Sequence, residues 1–344
     1  MQRYFSLGES RFPGAVFMVM GLVLWAWEGL PAQGAHREVI DPEEAAKDPD
    51  FAFQGEYLGE GRPAKGKPEK VGAQVIALGG GKFQAVVYRG GLPGAGWKRG
   101  DERFTMDGQR QENTVRLEGR KMQGTIADGK LTIQSSEGTG KMVLERIERK
   151  SPTLGEKPPA GAVVVFDGSS DERVEEKGHL TPMQTLLGGF TTKDQFQDYT
   201  LHVEFRLSWM PEARGQARSN SGVYLHDCYE VQVLDSFGLE GEHNECGGIY
   251  SIRRPEVNMC LPPMQWQTYD IEFTAPRYDA QGNKTANARM TIRHNGVVIH
   301  ENLELDKGTP GRKPEGPGPR PIHFQGHGNK VQYRNIWVLP KKEK

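Results

Sequence analysis

A chain of 344 residues is long enough for two domains of ordinary size, and 44 Lys and Arg against 45 Asp and Glu leave a formal net charge of −1. That balance gives no electrostatic attraction to nucleic acid or to an anionic membrane surface. The 44 glycines and 22 prolines approach a fifth of the chain, which is typical of many turns between short strands and argues against a mainly helical protein.

The first 35 residues have the pattern of a signal peptide. Arg3 and Arg11 precede an uncharged apolar stretch at 14–27, and small residues at 31–35 then suit cleavage. A spanning helix needs about 20 apolar residues, so an uncleaved anchor is the less favoured alternative. We therefore expect an exported protein, periplasmic or secreted, with no other membrane contact.

The three cysteines, Cys228, Cys246 and Cys260, leave the disulfide pairing open. An exported chain can keep disulfides, and a bond between Cys246 and Cys260 would close a short loop. The odd count leaves at least one thiol unpaired. The spacing disfavours a metal site built from all three thiolates.

Residues 36–150 predict a small β-rich accessory module. Short apolar segments alternate with turns that contain glycine, as in a barrel or a sandwich, at 73–78, 82–88, 114–117, 123–126, 130–133 and 142–146. The glycine triplet at 79–81 precedes no helix pattern and no Lys-Ser/Thr pair, so it is not a phosphate-binding loop. Prolines and glycines at 151–162 predict a linker, because they do not continue a sheet. The sequence leaves the task of this module open.

Residues 163–340 predict a second domain of antiparallel strands. Residues 201–208 alternate between apolar and polar side chains, and Asn295-Gly296 between apolar runs predicts a type I′ hairpin. Further strand patterns lie at 163–166, 266–273, 322–327 and 331–338. The fold class is therefore all-β, a jelly-roll β-sandwich preceded by a small β-rich module. The Pro/Gly-rich segment 307–321 predicts a long surface loop at the rim of a site.

The hairpin SNSGVYLHDCYEVQVLD, residues 219–235, carries directional hydrogen-bonding groups on one face. By strand alternation the face contains Tyr224, His226, Glu230 and Gln232. The polar sides of other predicted strands also contain no lysine. Their residues are His202, Glu204, Arg206, His323, Gln325 and His327. If these strands are neighbours, they line one concave face suited to sugar hydroxyls. The alternative is a solvated face of chance composition.

Glu230 is the first acid/base candidate, because its neighbours along the strand are apolar or aromatic and partly remove it from water. Glu204 and Arg206, two residues apart, also suit a plain surface ion pair. Asp235 has the parity of the core-facing valines, so strict alternation points it at the core. It either lies in a strand-end turn or bulge or is a site residue that such an irregularity re-aims.

The pair His323 and His327 does not predict a metal site of the helical type. Four positions along a strand span about 13 Å, which is too far for chelation by both rings.

Nine segments of the second domain occur in a consistent order: VFDG (165–168), DYTLHVEFR (198–206), NSGVYL (220–225), YEVQVLD (229–235), GGIY (247–250), QWQTYDI (265–271), HNGV (294–297), PIHFQGHG (321–328) and YRNI (333–336). In these segments the domain resembles the 3-keto-disaccharide hydrolase domain family. The resemblance implies a concanavalin-A-like jelly roll. It also implies cleavage of glycosides, 3-keto-disaccharides among them, that a partner sugar 3-oxidoreductase has already oxidised at C3. Residues 36–150 lie outside it.

The implied chemistry assigns roles to the polar residues. A ketone at C3 acidifies the C2 proton, so a base removes it while an acid assists loss of the C1 substituent, and water then adds. We expect Glu230 or Glu204 as the base and His323 or His327 as the acid. The expected substrate contacts are Arg206, Asn220, Tyr224, Gln232, Asp235, Tyr250 and Gln325. An arginine, a glutamine or a divalent metal near the C3 oxygen would stabilise the enolate, and the metal requirement stays open.

Two features depart from the family pattern. Ser169-Ser170-Asp171-Glu172 follows the opening motif where the family usually continues with a leucine and a tryptophan, and residues 209–218 form an elongated loop. The identity of the sugar and of its aglycone, and the oligomeric state, stay open. The alternative function is a non-catalytic, lectin-like or cell-surface interaction module on the same sandwich, and a conventional glycosidase is a weaker third option.

Overall fold

The computed structural model describes residues 37–62, 67–136, 140–176 and 180–341, which form a largely β structure. The predicted signal peptide, residues 1–35, lies outside the described residues. Within the described part of the chain, no helix is both long and apolar enough to cross a membrane. Export stays a prediction.

The helical elements are short: α1 spans Pro42–Ala45 and a 3₁₀ turn spans Gly215–Ala217. The strands of the N-terminal part are β1 (Gly55–Arg62), β2 (Glu69–Gly79), β3 (Lys82–Arg89), β4 (Leu92–Pro93), β5 (Gly96–Trp97), β6 (Arg103–Gln111), β7 (Thr114–Gly119), β8 (Met122–Ala127), β9 (Lys130–Ser135) and β10 (Lys141–Ile147). The strands of the C-terminal part are β11 (Val163–Phe166), β12 (Leu186–Leu187), β13 (Phe190–Thr191), β14 (Tyr199–Arg206), β15 (Ser221–Leu225), β16 (Tyr229–Val233), β17 (Trp266–Thr274), β18 (Arg277–Tyr278), β19 (Lys284–Ala286), β20 (Ala288–His294), β21 (Val297–Leu305), β22 (His323–Phe324) and β23 (Gln332–Pro340).

The N-terminal strands close into an antiparallel barrel in the order β1-β10-β9-β8-β7-β6-β3-β2. Tyr57, Val75, Phe83 and Leu131 are buried in one apolar cluster of this part. Closure pairs the first strand with the second and the last, so these strands present no open edge. Of the two architectures that the sequence allowed for this module, the structure is a barrel.

The C-terminal strands form a sandwich of two antiparallel sheets. The larger sheet has seven strands in the order β11-β23-β14-β17-β20-β21, with β12 also paired to β23, and the smaller has the order β13-β22-β15-β16. Leu201 and Phe205 of the larger sheet share one buried cluster with Val223 and Val231 of the smaller. The inner faces therefore make a single core. The predicted all-β fold class is confirmed.

The Asn295-Gly296 hairpin is present as predicted. The two residues have φ angles of 50° and 78°, and they connect the paired strands β20 and β21. A positive φ at both central positions is the requirement of the type I′ turn, which asparagine and glycine meet at little cost.

The hairpin of β15 and β16 has the predicted register. Val223 pairs with Val231, and Tyr224 pairs with Glu230. Because alternate residues point to opposite faces, the valines enter the core while Tyr224 and Glu230 face outward. Its turn carries His226 with a φ of 54°.

The segment after the barrel packs on the outer face of the larger sheet. Ser151 Oγ lies 2.6 Å from Thr268 Oγ1, and Thr153 donates a hydrogen bond of 2.6 Å to Asp270 Oδ2. The domain boundary at 151–162 stays a prediction. All three cysteine thiols are free and buried.

His202 is the centre of a buried charge network on that same outer face. Its Nδ1 lies 2.6 Å from Asp270 Oδ1 and its Nε2 lies 3.7 Å from Glu204 Oε1. Burial alone would lower the pKa of His202, but hydrogen bonding and attraction to the two carboxylates outweigh burial and raise it to about 9. Glu156, His202 and Asp270 bring potential metal ligands within 4.8 Å of one another. The contacts of His202 with Asp270 and Glu204 are those of an ion-pair network.

The charge on His202 predicts a pH-dependent stability. Since its pKa is raised on folding, the network stabilises the fold fully below about pH 6.5 and loses this contribution as pH rises through about 9. We expect the difference in free energy of unfolding between wild type and His202→Gln to shrink over this range, by at most about 1.4 kcal/mol per pH unit. Urea denaturation at pH 6.5 to 9.5 measures it, with the exposed His243→Gln as control. A difference that stays constant with pH would contradict the assignment.

Candidate active site

A row of four polar side chains crosses the outward face of the smaller sheet. Strand pairing places Thr191 opposite His323, His323 opposite Tyr224, and Tyr224 opposite Glu230. Thr191 Oγ1 lies 2.9 Å from His323 Nδ1, and the rings of His323 and Tyr224 are 5.9 Å apart. The antiparallel register of β13, β22, β15 and β16 therefore builds the row directly.

The carboxylate of Glu230 ends this row and is almost completely buried, with 3% of the residue exposed. The Tyr224 hydroxyl donates a hydrogen bond of 2.8 Å to its Oε2. Burial raises the pKa of Glu230, the hydrogen bond from Tyr224 opposes the rise, and the result is a pKa of about 7. A carboxyl group with this pKa can accept and release a proton near neutral pH.

Gly222 makes the space for that carboxylate. A Cβ at residue 222 would lie 2.3 Å from Glu230 Oε1, so any side chain there would displace the carboxylate. The amide of Gln232 lies beside the same oxygen. With its nitrogen turned toward the carboxylate, this amide donates to Glu230 Oε1 at 3.1 Å and to Ser221 O at 2.9 Å.

A cleft of about 180 Å³ opens above Glu230. Its walls are mainly neutral amides and aromatic hydroxyls, and the lining residues are Gln216, Asn220, Tyr224, Glu230, Gln232, Tyr250, Pro310, Gly311, Gln325 and His327. Gln325 Nε2 approaches the Tyr224 hydroxyl at 3.4 Å, while its Oε1 is buried without a hydrogen-bond partner. Amides and hydroxyls that both donate and accept match the hydroxyl groups of a sugar.

The long loop at 307–321 rims the cleft, as the sequence predicts. Thr309 Oγ1 accepts a hydrogen bond of 2.9 Å from the backbone N–H of Glu230. Arg312 Nε donates to Asp227 Oδ1 at 2.7 Å in the hairpin turn. These contacts hold Gly311 over the Tyr224 hydroxyl, where a Cβ would approach within 2.9 Å.

The structure brings together seven of the eleven residues that the sequence nominates, namely Asn220, Tyr224, Glu230, Gln232, Tyr250, Gln325 and His327. His327 is exposed at the rim and Tyr250 is half-buried. The catalytic and binding roles of all these residues stay predictions.

Glu204 and Arg206 do not lie in the cleft, so the expectation that they share a face with the hairpin is wrong. They belong to β14 of the larger sheet, whose apolar side chains fill the space between the sheets. Their polar side therefore points away from the core on the opposite side of the sandwich from Glu230. Burial alone would raise the pKa of Glu204, yet hydrogen bonds with His202 and Asn335 outweigh burial and hold the pKa at about 2. Arg206 donates to Gln332 Oε1 at 3.0 Å.

Three further residues lie near the cleft but not on its surface. His323 is buried beside Tyr224, and burial together with the Arg312 charge lowers its pKa to about 4. His323 does not line the cleft, so His327 is the predicted acid that reaches it. Asp235 is buried in an ion pair with Arg218 at 2.6 Å, with the core-facing parity that the sequence indicates. His226 lies in the turn of the hairpin, where its Nε2 is 2.8 Å from Gly318 O, and its side chain does not lie on the polar face with Tyr224 and Glu230.

Sequence reasoning missed Gln216 and Gly222. Gln216 belongs to the elongated loop at 209–218, and its spacing from the hairpin gives no periodic signal. Gly222 did carry a signal, because a glycine inside a strand often marks the close approach of another group.

Glu230 is the one carboxylate among the described residues that line the cleft. Ordinary glycoside hydrolysis uses two carboxyl groups about 5–10 Å apart, and the described lining does not supply the second. Among the described lining residues, Glu230 offers a carboxylate and His327 an imidazole as potential metal ligands, and the amide oxygens of the lining are further oxygen donors. The arrangement therefore offers one proton acceptor of raised pKa among neutral hydrogen-bonding groups.

A family model for the 3-keto-alpha-glucoside-1,2-lyase-like domain matches residues 93–339. The chain belongs to this family. The match confirms the resemblance carried by the nine sequence segments and starts within the barrel, further toward the N-terminus than those segments reach. Membership supports a hydrolase-like role on carbohydrate.

Two crystal structures from Parabacteroides distasonis, each described as a proposed glycosyl hydrolase, are similar to part of this chain. The first has 27% identity, covers 53% of this chain and 85% of its own, and has a TM-score of 0.49. The second has 15% identity, covers 53% and 95%, and has a TM-score of 0.40. Both scores are below 0.5, so neither contributes to the site assignment. A comparison with curated proteins gives no match.

The buried carboxyl group predicts a stability cost that is independent of catalysis. Because the pKa of Glu230 is raised on folding, its favourable contribution is present below about pH 4.5 and is lost as pH rises through about 7. Glu230→Gln lacks this loss, so its stability relative to wild type should increase between pH 5 and pH 8, by on the order of 2–3 kcal/mol. Chemical denaturation at both pH values measures the change, and the exposed Glu304→Gln should show none. An equal difference at the two pH values would mean that Glu230 is not desolvated.

Proposed function

We propose that this protein cleaves 3-keto-glycosides, 3-keto-disaccharides among them, by C2 proton abstraction, elimination and hydration. The observation that carries the proposal is the single carboxylate of the described cleft lining, Glu230, buried with a pKa of about 7. Such a group is suited to remove a proton from carbon once a neighbouring ketone has made that proton acidic.

The reaction proceeds in two balanced stages. Glu230 takes the C2 proton, the C1–O bond breaks, and a C1=C2 double bond forms in conjugation with the C3 ketone. The departing oxygen receives a proton and leaves as an alcohol. Water then adds its oxygen to C1, C2 regains a proton, and the free 3-keto sugar is released. The net result is hydrolysis.

The cleft residues divide these tasks by position. His327 at the rim is the proposed proton donor to the departing oxygen, which must lie toward solvent. Asn220, Gln232 and Gln325 are the proposed contacts to the sugar, and an amide N–H facing the C3 oxygen would stabilise the enolate. Because about 180 Å³ is less than the ~300 Å³ of most small-molecule sites, the cleft holds one sugar ring and leaves the aglycone outside.

The proposal includes the setting of the reaction. A sugar must be oxidised at C3 before this site can act, so a sugar 3-oxidoreductase supplies the substrate. The N-terminal pattern of residues 1–35 supports export, which places the cleavage outside the cytoplasm.

Incubation with methyl 3-keto-α-glucoside and with methyl α-glucoside tests the proposal. We expect methanol release from the keto form alone, since only its C2 proton is acidic. Glu230→Gln should lower kcat by about 100-fold or more, the usual contribution of a general base. The exposed Glu304→Gln should retain activity.

The outcomes separate the candidate functions. Cleavage of the unoxidised glucoside at a similar rate would favour a conventional glycosidase. Binding of both sugars without cleavage would favour the lectin-like module. Full activity of Glu230→Gln would remove this residue from the mechanism.

A further inference from the structure

The loop at residues 209–218, called here the supported loop, joins β14 to β15 and is fixed to the N-terminal part of the chain at its first residue. Trp209 is buried among the apolar residues of the barrel cluster. Its indole Nε1 donates to Asp48 Oδ2 at 3.0 Å, and its ring meets Phe51 edge-on with centroids 5.1 Å apart. Its backbone pairs with Val39 through hydrogen bonds of 2.8 and 3.1 Å. A residue of the sandwich therefore completes the core of the other module.

The second half of the supported loop is held by the barrel strand β2. Arg214 Nη2 donates to Leu78 O at 2.7 Å, and the guanidinium of Arg218 lies 3.4 Å from Ala77 O. Arg218 also donates from Nε to Asp235 Oδ2 at 2.6 Å. The loop is thus attached to the barrel on both sides of its 3₁₀ turn.

Gln216 lies in that turn and lines the sugar cleft. Asn220 Nδ2 donates to Gln216 O at 2.8 Å and to its Oε1 at 3.1 Å, and Gln216 Nε2 donates to Asn244 O at 2.8 Å. A glutamine amide has two N–H groups and two lone pairs. Gln216 Nε2 therefore keeps one N–H for a ligand, whereas Gln216 Oε1 also lies 3.1 Å from the Gln232 amide.

We propose that Gln216 is a specificity-determining residue that binds a hydroxyl group of the sugar, and that the barrel positions it by holding the supported loop. The inference rests on the proposed function for the class of ligand. A loop that had to order itself around a ligand would lose conformational freedom on binding, which weakens affinity. Contacts with the barrel order this loop beforehand, which gives the N-terminal module a role in binding.

A double-mutant cycle on the full chain tests both parts. Gln216→Ala, Arg214→Met and the combined variant are compared by kcat and KM for methyl 3-keto-α-glucoside. The same set is titrated calorimetrically in a Glu230→Gln background, where the sugar is not consumed. The control is Arg120→Met, which removes an exposed arginine from the turn between β7 and β8, and melting temperatures are followed throughout.

We expect Gln216→Ala to raise KM and Kd about tenfold with kcat within about twofold, because a uniform binding contact is lost. Arg214→Met should raise them by a smaller factor in wild type and by none in the Gln216→Ala background, since it acts through Gln216. An unchanged Kd for Gln216→Ala, additive effects of the two substitutions, or no sugar binding by the parent would overturn the inference. If the wild type binds the sugar without turnover and Gln216→Ala weakens that binding, the proposed function is overturned and the inference about Gln216 is not.

Discussion

The candidate site depends on the burial of the Glu230 carboxylate against the backbone of Gly222. Gly222 and Glu230 lie on the two strands of a hairpin, and the carboxylate occupies the volume that a side chain at 222 would fill. Water is thereby excluded from the carboxylate, and its pKa rises to about 7. The Tyr224 hydroxyl donates a hydrogen bond to it, which lowers the pKa by less than burial raises it. The buried carboxylate of Glu230 lowers the stability of the fold, and in return it can exchange protons near neutral pH.

Local patterns in the sequence predicted most of the long strands, although not β1 or β6, and they predicted the hairpin at the centre of the candidate site. Alternation in the hairpin fixed which side chains of β15 and β16 face outward, since a slip by one residue would put Glu230 in the core. Asn295-Gly296 specified its turn by the φ angles that it requires. These features are local, so a single sequence carries them.

The alternation of apolar and polar residues could not predict which sheet each strand joins or the order of the strands within it. Glu204 and Glu230 both lie on polar faces of good strands, yet β14 belongs to one sheet and β16 to the other, so their side chains point in opposite directions. Alternation assigns a residue to the inner or outer face but does not say which sheet its strand joins. The polar side of the larger sheet instead carries a buried ion-pair network. It consists of His202, Glu204 and Asp270 and lies under the segment that follows the barrel. The sequence did not predict Gln216 for a similar reason. Its place in the cleft depends on contacts of its loop with residues far away in sequence, such as that of Arg214 with Leu78, 136 residues apart.

In the proposed reaction, Glu230 removes a proton from C2 of a 3-keto sugar. The most direct measurement is turnover of methyl 3-keto-α-glucoside in D₂O, followed by NMR of the released 3-keto sugar at C2. We expect deuterium at C2 in product formed by the wild type, because elimination loses the original proton and hydration takes a new one from solvent. Comparison with the same sugar left in D₂O with Glu230→Gln corrects for spontaneous exchange. Product formed with its original proton at C2 would show that the reaction does not pass through removal of the C2 proton.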